Sequence, residues 1–182
     1  MYEENDIYND GGGSPSPSNF VIIDGVIYPF VKIGNQLWIT ENLRMERGNW
    51  VKPGDTVLYD GTPETIASIE SFLVDGWVIP SRSDFQTLYD YVNLNRSGTK
   101  GVGYYLKSVS YGGNDEFGFN GYNTGSDVGG NFLYNDTDYW TSTELSVNSR
   151  VRWELREGSN AFTNSIRTET GEYFGIRLVK NI

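Results

Sequence analysis

The amino-acid sequence predicts an α+β domain of antiparallel sheets, two helices and a long loop region. Three observations carry that expectation. Twenty-two glycines and a 15% aromatic fraction accompany a hydrophobic fraction of only 37%, the balance of a turn-rich chain whose core is made of rings. Two segments repeat apolar residues at helical spacing, whereas the last third alternates apolar and charged residues with the period of a half-buried strand. At 182 residues the chain has the length of one domain and buries on the order of 70% of its extended surface without needing a staple. No internal repeat is evident.

The elements follow in order. Residues 1–19 differ in kind from the rest: Glu3, Glu4, Asp6 and Asp10 stand without a Lys or Arg, and Gly11-Gly12-Gly13-Ser14-Pro15-Ser16-Pro17-Ser18 follows. Such composition buries nothing and predicts a flexible tether. The apolar Tyr2, Ile7 and Tyr8 ahead of it make a short docking peptide. From Phe20 onward the pattern is that of one folded domain, 20–182. Val21-Ile22-Ile23 and Val26-Ile27-Tyr28 flank Asp24-Gly25, a dipeptide suited to a two-residue hairpin turn. Phe30–Ile33 and Leu37-Trp38-Ile39 are the next strands, separated by Gly34-Asn35. Thr62-Pro63-Glu64 opens a helix with Thr62 as N-cap, and Ile66, Ile69 and Leu73 recur on one face. In the second helix Ser83 and Gln86 form the expected capping box, while Phe85, Leu88, Tyr89 and Val92 fall on one face. Gly, Asn and Asp then dominate from Gly112 to Asp138. Val151, Trp153 and Leu155 alternate with Arg150, Arg152, Glu154 and Arg156, predicting one buried face and one solvated, charged face. Phe162–Arg167 and Tyr173–Val179 complete an antiparallel meander turned at Gly158 and Gly171.

Composition also excludes. The chain contains no cysteine and no histidine, which removes disulfides, thiolate catalysis, Cys-ligated metals and every His-dependent triad. Its net charge is −10, of which −6 lies on residues 20–182, and that field repels phosphate backbones. Nucleic acid is therefore not an expected partner. No apolar run approaches the ~20 residues that a spanning helix needs, and Met1–Asp10 is acidic and polar, unlike a secretory leader. The expectation is a soluble chain made for the cytoplasm, without membrane insertion.

Five ordered blocks carry a family resemblance. They are Val31-Lys32-Ile33-Gly34-Asn35-Gln36-Leu37-Trp38-Ile39-Thr40-Glu41-Asn42-Leu43; Asp75-Gly76-Trp77-Val78-Ile79-Pro80 with Phe85 and Leu88; Leu106-Lys107-Ser108 with Asp115-Glu116-Phe117-Gly118-Phe119; Tyr139-Trp140-Thr141-Ser142-Thr143-Glu144; and Gly175-Ile176-Arg177-Leu178-Val179-Lys180. From about residue 24 to the C-terminus these resemble the Fibrobacter succinogenes major paralogous domain, a surface-associated module without an agreed activity. The resemblance implies a C-type-lectin-like fold, related to that of the formylglycine-generating enzyme, with two helices beside twisted antiparallel sheets and a long loop region. That scaffold hosts unrelated functions. Family members often carry a Cys at the positions of Leu73 and Leu178, so the resemblance implies a disulfide replaced here by an apolar contact. Losing both cysteines suits folding where thiols stay reduced. A virion protein of a bacteriophage folds in cytoplasm and acts at a cell surface, and that is the expected class, with an exported bacterial adhesin-like module or a purely architectural virion protein as alternatives.

Few residues propose chemistry. The formylglycine-generating scaffold would need cysteines to hold copper, and they are absent. Asp136 and Asp138 are the nearest pair for glycoside chemistry, but aspartates in loops commonly form turns; the expectation is a protein that is not an enzyme. Asn114-Asp115-Glu116 and Asp136/Asp138 offer the oxygen ligands that calcium takes, yet no EF-hand loop and no Glu-Pro-Asn or Gln-Pro-Asp triplet is present. No cofactor is expected, calcium being the one cation these residues suit. Trp38, Trp77, Trp140 and Trp153 read as core, and Trp50 as exposed. Tyr111, Tyr122, Tyr134 and Tyr139 lie among Gly, Asn and Asp, where flat rings beside amides and carboxylates suit sugar stacking and equally protein contact.

The expected site is thus Tyr111, Asn114, Asp115, Tyr122, Asn123, Tyr134, Asp136 and Asp138, facing host-surface carbohydrate. Tyr2, Ile7 and Tyr8 would dock on a capsid or tail protein of the particle. Multiple copies, or a homo-oligomer, would supply avidity.

Overall fold

The computed structural model describes residues 19–182. Tyr2, Ile7 and Tyr8, the expected docking residues, lie outside them. The chain mixes helix with antiparallel sheet. Strands β1 (Phe20–Ile23) and β2 (Val26–Ile33) form the expected hairpin around Asp24-Gly25, both in the left-handed region. Phe30–Ile33 is not a separate strand: β2 runs through Pro29. Pro29 pairs with Phe20 at the end of the ladder, where a missing N–H costs least. Strand β3 (Gln36–Ile39) follows the Gly34 turn. Short strands β4 (Trp50–Val51) and β5 (Leu58–Asp60) lead to helix α1 (Pro63–Glu70). Thr62 caps that helix, accepting a hydrogen bond from the Thr65 N–H. Trp50 is half-buried and packs against the core.

Helix α2 (Arg82–Asn95) buries Phe85, Leu88 and Val92 as its spacing predicts. Its capping box is Ser81 with Asp84, not Ser83 with Gln86. The Asp84 carboxylate accepts the Ser81 N–H at 2.7 Å and the Ser81 hydroxyl accepts the Asp84 N–H at 3.1 Å. Pro80 and the extended backbone of Ser81 end the preceding segment, so the helix starts two residues earlier than the Ser-x-x-Gln pattern suggested. Gln86 instead donates to Asp90 along the same helix.

The loop-rich region holds more structure than expected. A third helix, α3 (Val102–Leu106), and a 3-10 turn at Val109–Tyr111 follow α2. Strands β6 (Ser126–Val128) and β7 (Asn131–Leu133) then form a hairpin turned at Gly129-Gly130, both at positive φ. Long strands β8 (Asp136–Ser146) and β9 (Ser149–Arg156) and strand β10 (Phe162–Thr168) make a three-stranded antiparallel sheet. The predicted meander does not extend to Tyr173–Val179. That segment divides between β11 (Glu172–Phe174), which joins the sheet β4-β5-β11-β6-β7, and β12 (Val179–Asn181), which closes β1-β2-β3-β12. The residues between them, Gly175 to Leu178, cross the core; Ile176, Arg177 and Leu178 are fully buried there.

Two apolar clusters result. One joins Ile39, Leu43, Ile66, Ile69, Trp77, Trp140, Phe174 and Leu178, with Leu73 packed against it. The other packs α2 on the β8–β9–β10 sheet through Phe85, Tyr139, Trp153 and Phe162, rings whose centroids lie 4.7–5.9 Å apart. Trp38, Trp77, Trp140 and Trp153 are all core. Among the described residues no helix is long and apolar enough to cross a membrane.

Candidate functional site

Strand β8 begins with Asp136-Thr137-Asp138, and β9 ends with Arg152-Trp153-Glu154-Leu155-Arg156. Antiparallel register sets Asp136 opposite Arg156 and Asp138 opposite Glu154. Side chains alternate across a strand, so Asp136, Asp138, Arg152, Glu154 and Arg156 share one face, while Tyr139, Trp153 and Leu155 face α2. The β6–β7 hairpin and β11 cover the charged face with Ser126, Val128, Leu133 and Phe174, leaving a cleft of about 200 Å³ that Arg167 of β10 also lines.

The predicted solvated arginine face is therefore corrected. Arg150 and Arg152 are 3% and 2% exposed, and only Arg156 reaches solvent. Arg150 donates its Nε to the Gly61 carbonyl at 2.7 Å and pairs with buried Glu169 at 3.2 Å. Arg152 pairs with Asp138, and through Nη1 with Glu154 at 2.7 Å. Arg156 adds a contact to Glu154 at 3.0 Å and stands 3.7 Å from Asp136. Thr163 of β10 donates to the other Glu154 oxygen at 3.1 Å. Burial opposes ionisation of Glu154, yet the Arg152 hydrogen bond and the charges of Arg152 and Arg156 hold its carboxyl below the ordinary range. The Arg152 guanidinium also lies over the Phe174 ring, 5.5 Å from its centroid. An arginine face cannot be told from a buried ion-pair network by alternation alone, because the covering hairpin comes from elsewhere in the chain.

Outward, the cleft opens into a second space of about 480 Å³ lined by Phe132, Leu133, Tyr134, Asn135, Asp136 and Arg156. Tyr134 is 71% exposed and stands edge-on to Phe132 with centroids 4.5 Å apart. Its ring is thus braced yet uncovered, beside an amide, a carboxylate and a guanidinium. Deeper in, the Ser126 hydroxyl and the Arg152 Nε are buried and find no hydrogen-bond partner among the described residues.

Of the expected site residues, Tyr134, Asp136 and Asp138 come together here, with Asp138 in the floor at 2% exposure. Tyr111 is corrected to a core residue: it is 5% exposed, and its hydroxyl donates to the carbonyls of Asn135 and Leu155, pinning the start of β8 to β9. Tyr139 is likewise fully buried, and burial pushes its phenol up to about 12. Asn114, Asp115, Tyr122 and Asn123 do not line the cleft. Asp115 is half-buried, accepts the Asn120 N–H at 2.7 Å, and is pushed upward in pKa by burial against the pull of that bond and of Arg177. The Tyr122 hydroxyl accepts the Asn42 N–H, and Asn123 accepts from Gly125 two residues on. Asp115 and Asn123 thus bond within their own loop, whereas Tyr122 ties it to the segment after β3.

Phe132, Ser126, Arg152, Glu154, Arg156 and Arg167 were not expected in the site. A signal for three of them existed: Asp-x-Asp in one strand and Arg-x-Glu-x-Arg in the next are complementary when paired antiparallel. Among the described residues no group of three or more Asp or Glu side chains is arranged to hold a metal ion. No family model, curated protein or solved structure matches the chain.

Proposed function

We propose that the chain is a non-enzymatic recognition module of a bacteriophage particle that contacts host-surface carbohydrate through the cleft beside Tyr134. One observation carries the carbohydrate reading: a braced, exposed tyrosine lines the same space as the planar donors and acceptors of Asn135, Asp136 and Arg156. Sugars are bound by rings against their apolar faces and by rigid polar groups against their hydroxyls, and fixed groups lose little entropy on binding. Ion pairing in the floor supports recognition over catalysis. Asp138 is committed to Arg152 and Asp136 faces Arg156, so the two carboxylates do not stand as a free pair flanking a bond to be cleaved.

The C-type-lectin-like assignment and the virion setting belong to the same proposal. Leu73 and Leu178 share one apolar cluster, as the family resemblance implies for a replaced disulfide, and a cysteine-free core suits folding in a reducing cytoplasm. The peptide with Tyr2, Ile7 and Tyr8 would dock on a capsid or tail protein, and residues 11–19 would serve as the tether. The test is binding of the full chain, displayed in many copies on a bead, to a panel of bacterial surface polysaccharides. Specific capture that falls at least tenfold with Tyr134→Ala is the expected result. Capture unaffected by Tyr134→Ala, or none across the panel with the protein folded, overturns the carbohydrate reading.

A further inference from the structure

One arginine of the charged face is left without a carboxylate. Arg150, Arg152 and Arg156 pair with Glu169, Asp138 and Glu154 respectively. Arg167 of β10 stands opposite Arg150 in the ladder, as Ser165 stands opposite Arg152, so its side chain lies on the same face. It lines the inner cleft of about 200 Å³ together with Arg152 and Arg156. Among the described residues Arg167 forms no ion pair and no hydrogen bond. Its Nε is buried and unmatched, whereas both Nη groups keep accessible surface.

A half-buried guanidinium without a counter-charge is costly to hold, and an anion entering the cleft would relieve that cost. The neighbouring cations are already engaged. Arg152 holds Asp138 and Glu154 through Nη1, and Arg156 holds Glu154 through Nη2. Of the guanidiniums lining the cleft, only that of Arg167 has both Nη groups unengaged. A carboxylate matches that planar fork with two parallel N–H···O bonds. The charge of −6 on residues 20–182 opposes phosphates and other multiply charged groups more than a single carboxylate. The inner cleft also adjoins the outer space beside Tyr134, since Leu133, Asp136 and Arg156 line both.

We infer that the glycan is an acidic one, a sugar acid whose carboxylate enters the inner cleft and accepts hydrogen bonds from the Arg167 Nη groups while its ring lies beside Tyr134. The inference rests on the carbohydrate reading of the Tyr134 space and names the chemical class of its ligand. It asks nothing of the buried Arg167 Nε, which no ligand atom needs to reach. Arg167 then serves binding and not the fold, because its removal strands no partner within the chain.

The experiment uses the full chain labelled with ¹⁵N-arginine, the Arg167 Nε–Hε signal being assigned by its loss in Arg167→Met. The probes are the methyl glycosides of glucuronic, galacturonic and N-acetylneuraminic acid, with methyl glucoside, methyl galactoside and acetate for comparison. The expected result is a saturable shift of the Arg167 signal by at least one acidic glycoside at millimolar concentration, as a single small ring allows. The neutral glycosides and acetate should bind about tenfold more weakly or less, the worth of a charge-assisted contact. Saturation transfer to the glycoside reads the variants: Arg167→Met and Tyr134→Ala should each lose about tenfold, and Arg167→Lys, which keeps the charge without the fork, less. The thermal midpoint of Arg167→Met should stay within about 2 °C of the parent's. An Arg167 signal that ignores all three acidic glycosides overturns the inference, as does binding undiminished in Arg167→Met. Neutral glycosides that bind as tightly, and weaken with Tyr134→Ala, overturn it while the carbohydrate reading stands. Acetate binding as tightly as the acidic glycosides would show a plain carboxylate site and overturn it too. A midpoint lowered by more than about 5 °C in both Arg167→Met and Glu172→Gln would assign Arg167 to Glu172, whose Oε2 is buried and unmatched, and would equally overturn it.

Discussion

Replacing Arg152 by methionine tests whether the cleft floor is held together by its charges. Asp138 and Arg152 are each 2% exposed, and Arg152 is the only charged partner of Asp138 among the described residues. Methionine keeps an unbranched apolar side chain at this position and removes the guanidinium, with its contact to the Phe174 ring. Asp138 is then a buried carboxylate without a counter-charge, and breaking a buried pair from one side costs about 3–5 kcal/mol. Asp138→Asn should cost less, about 1–3 kcal/mol, because Arg152 keeps Glu154 at 2.7 Å. In the double variant neither charge is stranded by loss of the other, so its cost should fall below the sum of the singles by about 2 kcal/mol, a coupling typical of contacting residues. Urea unfolding at neutral pH, followed by tryptophan fluorescence, measures all three; each kcal/mol corresponds to roughly 2–4 °C in Tm for a domain of this size. Additivity within about 0.5 kcal/mol, the behaviour of independent sites, would refute the reasoning, as would a cost near zero for Arg152→Met.

Acid should loosen the same floor. The Glu154 carboxyl titrates below its ordinary value of 4.5 in the folded protein, so its contribution is complete above that value and is lost as pH falls through the lowered one. Glu154→Gln should flatten the stability–pH curve below about pH 4.5, measured by urea midpoints between pH 3 and 7; a curve as steep as the parent's would assign the acid response elsewhere. Arg177 offers a contrast. Fully buried, it donates to Asn42 Oδ1 at 3.0 Å, the Phe119 carbonyl at 2.6 Å and the Ile39 carbonyl at 3.2 Å, and packs on the rings of Phe119 and Tyr139. Arg177→Met leaves three buried acceptors unmatched and should cost about 3–5 kcal/mol at roughly 1–1.5 kcal/mol per bond, read as a fall in thermal midpoint. A midpoint within a degree of the parent's would show that the surrounding loop reorganises without it.

Local pattern determined more of this protein than its low hydrophobic content suggests. Asp24-Gly25 between two apolar runs specified a hairpin because few dipeptides accept two successive positive φ values. Thr62-Pro63 specified a helix start, and the spacing of Phe85, Leu88 and Val92 specified a buried face, because 3.6-residue periodicity is written along the chain itself. Even the capping error at α2 was an error of two residues. Tyr134 and Asp136 were legible as ring and carboxylate in one polar stretch, and the fold keeps them beside the same space.

Position in space was legible only where neighbours in sequence are neighbours in the fold. Alternation in β9 says that Arg152 and Trp153 face opposite ways. It cannot say that the β6–β7 hairpin and β11 close over the arginine side, turning a solvated stripe into a buried ion-pair floor with a cleft above it. Tyr111 reads like Tyr134 in composition, yet one is pinned beneath β8 by the Asn135 and Leu155 carbonyls and the other stands in solvent. Tyr173–Val179 reads as one strand, and the tertiary structure divides it between two sheets through a buried crossing at Arg177. Turns, helix faces and the chemistry available at each position are written locally along the chain. Which faces meet was decided by the tertiary structure, since burial depends on contacts between distant segments that no local periodicity encodes.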